Sequence, residues 1–196
     1  MRLLLSLLLA LALAACTTIA KVEGQQLVNE KLAVEVSAAW NKIQDPWGDE
    51  PYDTWTQEGM PLDHLRLWGG VRSGQPLMAK PTVFFRGPGE KDARVPTFRS
   101  GMGPEKLVRL FEELYATSGT VQLTRVEPAV FAGEKGVRFE FTLARRADDL
   151  VLRGVGWAAV HKDELYAATF VAPGASFFPR LLPMAETVVK TARIKG

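Results

Sequence analysis

The sequence predicts an α+β domain: an antiparallel sheet packed by a central helix and a C-terminal helix. Three observations carry that prediction. Val137, Phe139, Phe141 and Leu143 alternate strictly with Arg138, Glu140 and Thr142, the two-residue period of a half-buried strand. Two further apolar runs, Leu150 to Val160 and Glu164 to Val171, are joined by the short polar turn His161-Lys162-Asp163, so the three segments read as a meander. Helical spacing occurs twice outside it, at Leu107, Leu110, Phe111, Leu114 and Tyr115, and at Leu181, Leu182, Ala185, Val188, Val189 and Ala192. A sheet with one apolar face would bury that face against these two helices.

Taken in order, the chain opens MRLLLSLLLALALAAC. Arg2 supplies a short basic region, Leu3 to Leu13 is apolar apart from Ser6, and Ala14-Ala15 places small residues before Cys16. Such a run is too short to span a bilayer stably and reads as a secretory signal. It resembles the bacterial lipobox, and that resemblance implies cleavage after residue 15 and a diacylglyceryl, palmitate-bearing Cys16. It also implies a lipid-anchored protein of the cell envelope. Thr17, where Asp favours inner-membrane retention in Gram-negative families, leans toward the outer membrane and a periplasm-facing domain. Each buried methylene contributes about 0.8 kcal/mol, so two or more acyl chains hold stably where one does not. Residues 1–15 are thus expected to be signal, 16–30 a lipidated tether, and 31–196 a single domain. A flexible tether of that size has a span of roughly 20 Å.

Leu32, Val34 and Val36 alternate with polar or small residues and predict a first strand. Residues 38–61, with prolines and glycines throughout, read as a long connection. Leu65, Leu67 and Val71 predict a second strand from about Leu62, and 72–103 reads as an excursion around a short Val83-Phe84-Phe85 strand. Pro104 suits the first turn of the central helix, and Gly119 suits a left-handed stop after it. The last helix is expected to become regular near Pro183.

The chain carries 24 basic and 22 acidic side chains, and 23 against 22 once Arg2 is removed, so no global field favours nucleic acid. Cys16 is the only cysteine, which excludes an intramolecular disulfide, a thiolate metal cluster and a catalytic thiol in the folded domain. No apolar run of transmembrane length follows the signal, and no cofactor fingerprint occurs.

Over the stretch RVEPAVFAGEKGVRFEFTL, then GVGWAAVHKDELYAATFVAP, then a closing helix ending TARI, the chain resembles the PsbP and Mog group of domains. The resemblance runs from about Leu32 to the end and is weakest over 72–103. It implies an antiparallel sheet flanked by helices and a binding or assembly role without catalysis, with an envelope protein as a possible partner.

Two residue groups are candidates for binding. His64, Arg66 and Trp68 share one face of the second strand, opposite Leu65 and Leu67. Such a trio would hold an anion flanked by an apolar group, or would simply be an exposed strand face with Trp68 packed under 72–103. Trp47, Tyr52 and Trp55, with Trp40, crowd a loop holding Asp45, Asp49, Glu50, Asp53, Glu58 and Asp63. That loop would grip a cationic or sugar-like ligand. The alternative is that Trp40 and Trp55 plug the sheet edge while the acids stay solvated. Lys80, Arg86, Lys91, Arg94, Arg99, Lys106 and Arg109 form a mildly basic stretch suited to anionic head groups or to pairing with those acids. The alternatives are an envelope hydrolase, for which Ser73 or Ser100 with His64 and an acid is the only triad on offer, without a supporting motif, and a carrier of a small apolar ligand, which requires a cavity between sheet and helices.

Overall fold

A computed structural model describes residues 19–45, 48–79 and 95–195. Cys16, Trp47 and the Val83–Phe85 run lie outside them. The strands are β1 (Ile19–Val28), β2 (Leu32–Ile43), β3 (Asp53–Thr56), β4 (His64–Arg72), β5 (Gly119–Phe131), β6 (Glu134–Arg145), β7 (Val151–His161), β8 (Glu164–Pro173) and β9 (Arg193–Ile194). The helices are α1 (Pro104–Ala116) and α2 (Phe177–Lys190). One antiparallel sheet runs in the order β1-β2-β3-β4-β8-β7-β6-β5, with β9 on β2.

The central strands are buried on both faces, a departure from the single apolar face expected. Leu65 and Leu67 of β4 join Trp40, Trp55, Phe170 and the α2 residues Phe178, Leu181, Ala185 and Val188 in one core. Trp68 and Val71 of the same strand join Phe139, Phe141 and the α1 residues Leu107, Leu110, Phe111 and Leu114 in the other. The two helices thus lie on opposite faces, and β8, between β4 and β7, is buried along nearly all its length.

The expected helix faces are the buried ones. Three boundaries differ. Helix α2 begins at Phe177, with Pro183 inside it. Proline there removes a backbone donor, and Phe178 and Leu181 are buried on either side of the first turn, so packing outweighs the lost bond. Gly119 is no left-handed stop but the first residue of β5. A Cβ there would lie 2.1 Å from the Ala144 carbonyl oxygen, so close strand approach is what requires glycine. The expected tether is corrected most: residues 19–28 form β1, paired along β2 from Ile19↔Ile43 to Val28↔Leu32. A bulge at Gly24 breaks the alternation, which hides the strand from a period-two reading.

Two glycines set the depth of the α1 face. Gly154 and Gly156 of β7 pair with Phe141 and Phe139 of β6, whose rings lie across the bare backbone. A Cβ at either glycine would sit 2.2 Å from the facing ring. Cross-strand aromatic cover of glycine flattens this patch. Phe111 then packs on Phe139 with ring centroids 5.5 Å apart, and Tyr115 on Phe141 at 4.8 Å.

Candidate functional site

Tyr115, set down by this packing near the C-terminal end of α1, closes one side of a polar cavity. Its hydroxyl and that of Thr169 on β8 are 2.6 Å apart, both buried. Thr169 pairs across the sheet with Arg66, and His64 lies two residues earlier on β4 with its ring nearly parallel to that of Tyr115, at 6.2 Å. The Arg66 guanidinium stands 4.7 Å over the ring of Tyr52, a cation–π contact, and Tyr52 meets the edge of Trp68 at 5.0 Å. These groups enclose about 290 Å³, with Met60, Met78, Leu114 and Leu152 supplying apolar walls and Arg145 a second cation. Ligand pockets run roughly 300–1,000 Å³, so the space suits a small ligand or one end of a larger one.

The electrostatics are unusual in one respect. Buried polar atoms are normally hydrogen-bonded, yet His64 Nε2 and Arg66 Nε here, like Trp55 Nε1 in the α2-side core, have no partner. Burial first, then the charges of Arg66 and Arg145, hold His64 well below the ordinary value of 6.5, so its ring is neutral at pH 7. Burial also raises the Tyr52 hydroxyl, against the opposing effect of Arg66, and Glu50 raises it further. Glu50 also accepts the Ala79 N–H at 3.0 Å. Arg145 is spoken for: it chelates Asp148 at 2.8 and 2.5 Å and donates to the Pro61 carbonyl at 2.9 Å. Arg66 is therefore the cation whose charge the cavity has available.

Of the expected trio, His64 and Arg66 line the cavity, while Trp68 is fully buried with its Nε1–H donated to Leu77 O at 3.1 Å. The face is thus covered by α1 and is not an open strand surface. Of the aromatic and acidic loop, Tyr52 and Glu50 line this cavity, while Trp40 and Trp55 do not join them. Trp40 and Trp55 are both core residues and not plugs at a sheet edge, and Trp55 lies in the α2-side core, away from Tyr52. The acids have structural tasks instead. Asp53 pairs with Lys42 at 2.6 Å, Glu58 with Arg180 at 2.6 Å, and buried Asp63 accepts from Thr56 Oγ1 and the Gln57 and Glu58 N–H groups. Among the described residues no three His, Cys, Asp or Glu side chains gather as a metal site. Arg99, Lys106 and Arg109 are exposed, and the four basic residues before them lie outside the described residues.

Ser73 and Ser100 are far from His64. Ser73 follows the end of β4, nine residues on from His64, about 30 Å along an extended strand, and its hydroxyl accepts the Ser100 N–H at 3.0 Å. The triad considered from sequence is not brought together. His161, expected in an exposed turn, is half-buried at the end of β7 with Nδ1 2.9 Å from Glu134. Sequence reasoning missed Tyr115, Met60 and Arg145 as cavity residues and named Glu50 only among the acids of the loop. The apolar helical period assigned Tyr115 to the core, where its ring does lie, without showing that its hydroxyl faces a polar pocket.

No protein-family model matches the chain, and neither does any curated protein sequence. Among solved structures it is similar to the solution structure of cyanobacterial PsbP (CyanoP) from Synechocystis, with 8% identity and a TM-score of 0.53, covering 93% of this chain and 95% of that one. At such identity the likeness concerns architecture alone. The chain therefore has a PsbP-like fold, an antiparallel sheet with two helices.

Proposed function

We propose that this chain is a lipid-anchored, periplasm-facing envelope protein whose domain works by binding, without catalysis, through the cavity walled by His64, Arg66, Tyr52 and Tyr115. One observation carries the binding role: two residues that wall a single cavity, His64 and Arg66, each hold a buried polar atom without a partner, Nε2 and Nε. Leaving such atoms unpaired costs about 1–3 kcal/mol each; two of these costs fall together beside an open space, whereas the third, at Trp55 Nε1, lies in the apolar core. The anchor rests on the lipobox-like stretch ending at Cys16, and the non-catalytic character on the resemblance to PsbP and Mog domains.

The anchor and the binding role are tested separately. Labelled palmitate is expected to enter the wild-type protein in cells and to be absent from Cys16→Ser; equal labelling of both would remove the anchor. For binding, a photo-crosslinking amino acid placed at Met60, on the exposed rim, is irradiated in living cells. A reproducible adduct that disappears with Arg66→Met supports the cavity as the working surface. An adduct indifferent to Arg66 transfers the role elsewhere.

A further inference from the structure

The cavity lies in register with the start of the described chain. Ile19 pairs with Ile43, Ile43 with Thr54, and Thr54 with Arg66. These four residues form one lateral row across β1, β2, β3 and β4, and laterally paired residues point to the same face. Three strand spacings of about 4.8 Å place Ile19 roughly 14 Å from Arg66. Cys16 is three residues earlier, at most about 10 Å of chain. A second hollow of about 220 Å³ runs along this row, lined by Ile43 and Thr54 and sharing Glu50, Tyr52, Met60 and Arg66 with the first. Ile19 itself is 61% exposed. A lipid on Cys16 would therefore bring the bilayer surface to the same face and flank of the sheet as the cavity.

Resting on the binding role proposed above, we infer that the cavity takes the anionic end of an amphiphile drawn from the membrane to which the chain is attached. A carboxylate or phosphate would pair with the guanidinium of Arg66, which lines the cavity beside the neutral ring of His64. The first few carbons of an apolar tail would lie against Met60, Met78, Leu114 and Leu152. Charge-assisted donors in a water-poor pocket are the strong ones. A head-group-sized cavity joined to a hollow that runs toward Ile19 fits such a molecule better than it fits a free inorganic anion, which would leave the apolar walls unused. Glu50, on the shared wall, and Asp45, on the second hollow, oppose an anion and limit its affinity.

The test uses the full lipidated chain in phosphatidylcholine nanodiscs with a diazirine-bearing decanoate as probe, crosslinks being mapped by mass spectrometry. Labelling is expected on the peptides holding Met60, Met78 or Leu114. Arg66→Met should lower it about tenfold or more, the loss of a hydrogen bond to a charged group. Glu50→Gln, which leaves Arg66 in place, should raise it, and its thermal unfolding should stay close to wild type. Decanol, which enters the bilayer without a charge, should not compete. Competition by decanoate ahead of decyl phosphate would point to a free acid, and the reverse order to a phospholipid head group. Labelling outside the cavity, competition by decanol, or displacement by inorganic phosphate alone would overturn the inference. If a protein adduct at Met60 in cells nevertheless depends on Arg66, the binding role stands and only the ligand class falls.

Discussion

The two faces of β4 differ sharply. Leu65 and Leu67 point into a core that α2 closes, and both are fully buried among apolar neighbours. One residue out of phase, His64, Arg66 and Trp68 point to the α1 side, where burial is as deep at Trp68 but decays into a polar cavity at the strand's start. On the first face every apolar contact serves stability. On the second, α1 stops short: it ends at Ala116, and the space beyond Tyr115 is lined by groups that a core would exclude. A strand can therefore be read as core and as candidate site at once, face by face, with His64 and Arg66 marking where the α1 face turns polar.

That contrast can be broken most severely at its buried end. Trp68→Ala should cost about 3–5 kcal/mol in denaturant unfolding, the usual effect of removing a large core aromatic, and a loss under 1 kcal/mol would mean that this face is not packed as described. Gly154→Ala should cost about 1–3 kcal/mol, because the new methyl overlaps the Phe141 ring, and should also weaken probe labelling as Tyr115 is displaced. His64 sharpens the comparison through pH. Its folded value lies below its unfolded one, so below pH 6.5 the unfolded chain takes up the proton that the folded chain refuses. Stability is then full above pH 6.5 and falls as the pH is lowered toward the folded value, by up to about 1.4 kcal/mol per pH unit. His64→Phe should remove that fall in melts taken between pH 7.5 and 5.5, and an unchanged slope would contradict a buried neutral ring. The smallest effect belongs to Trp55→Phe on the dry face, within about 1 kcal/mol of wild type, since relief of its unpaired indole N–H offsets the space left behind.

The meander and both helices were legible because their apolar periods are uninterrupted: β6 alternates residue by residue, and the buried stripe of α1 is the one its spacing predicts. The missing strands each break their own period. β1 carries a bulge at Gly24, and β3 is four residues long inside a proline- and glycine-rich stretch. β5 is a sheet edge with a register shift between Leu123 and Arg125 and with Pro128 inside it, so the alternation of Val121 and Leu123 changes phase before Val126 and Val130. The site was half legible. His64 and Arg66 share a face by period two alone, but Tyr115 reaches them through tertiary packing on Phe141, and Arg145 comes from the far end of β6. No local pattern encodes a meeting of residues so distant in the chain.

The ladder between β1 and β2 also has a mechanical side. Ile19 is its first rung, and any tension on the chain ahead of residue 19 loads the Ile19–Ile43 and Ala20–Lys42 pairs before any other. β1 is an outer strand, so those first rungs can open before the Val22–Trp40 pair, where the core begins. Ile43 also lines the hollow beside Arg66. A force of that kind would reach the cavity wall first and the interior last, making β1 a spring in series with the cavity.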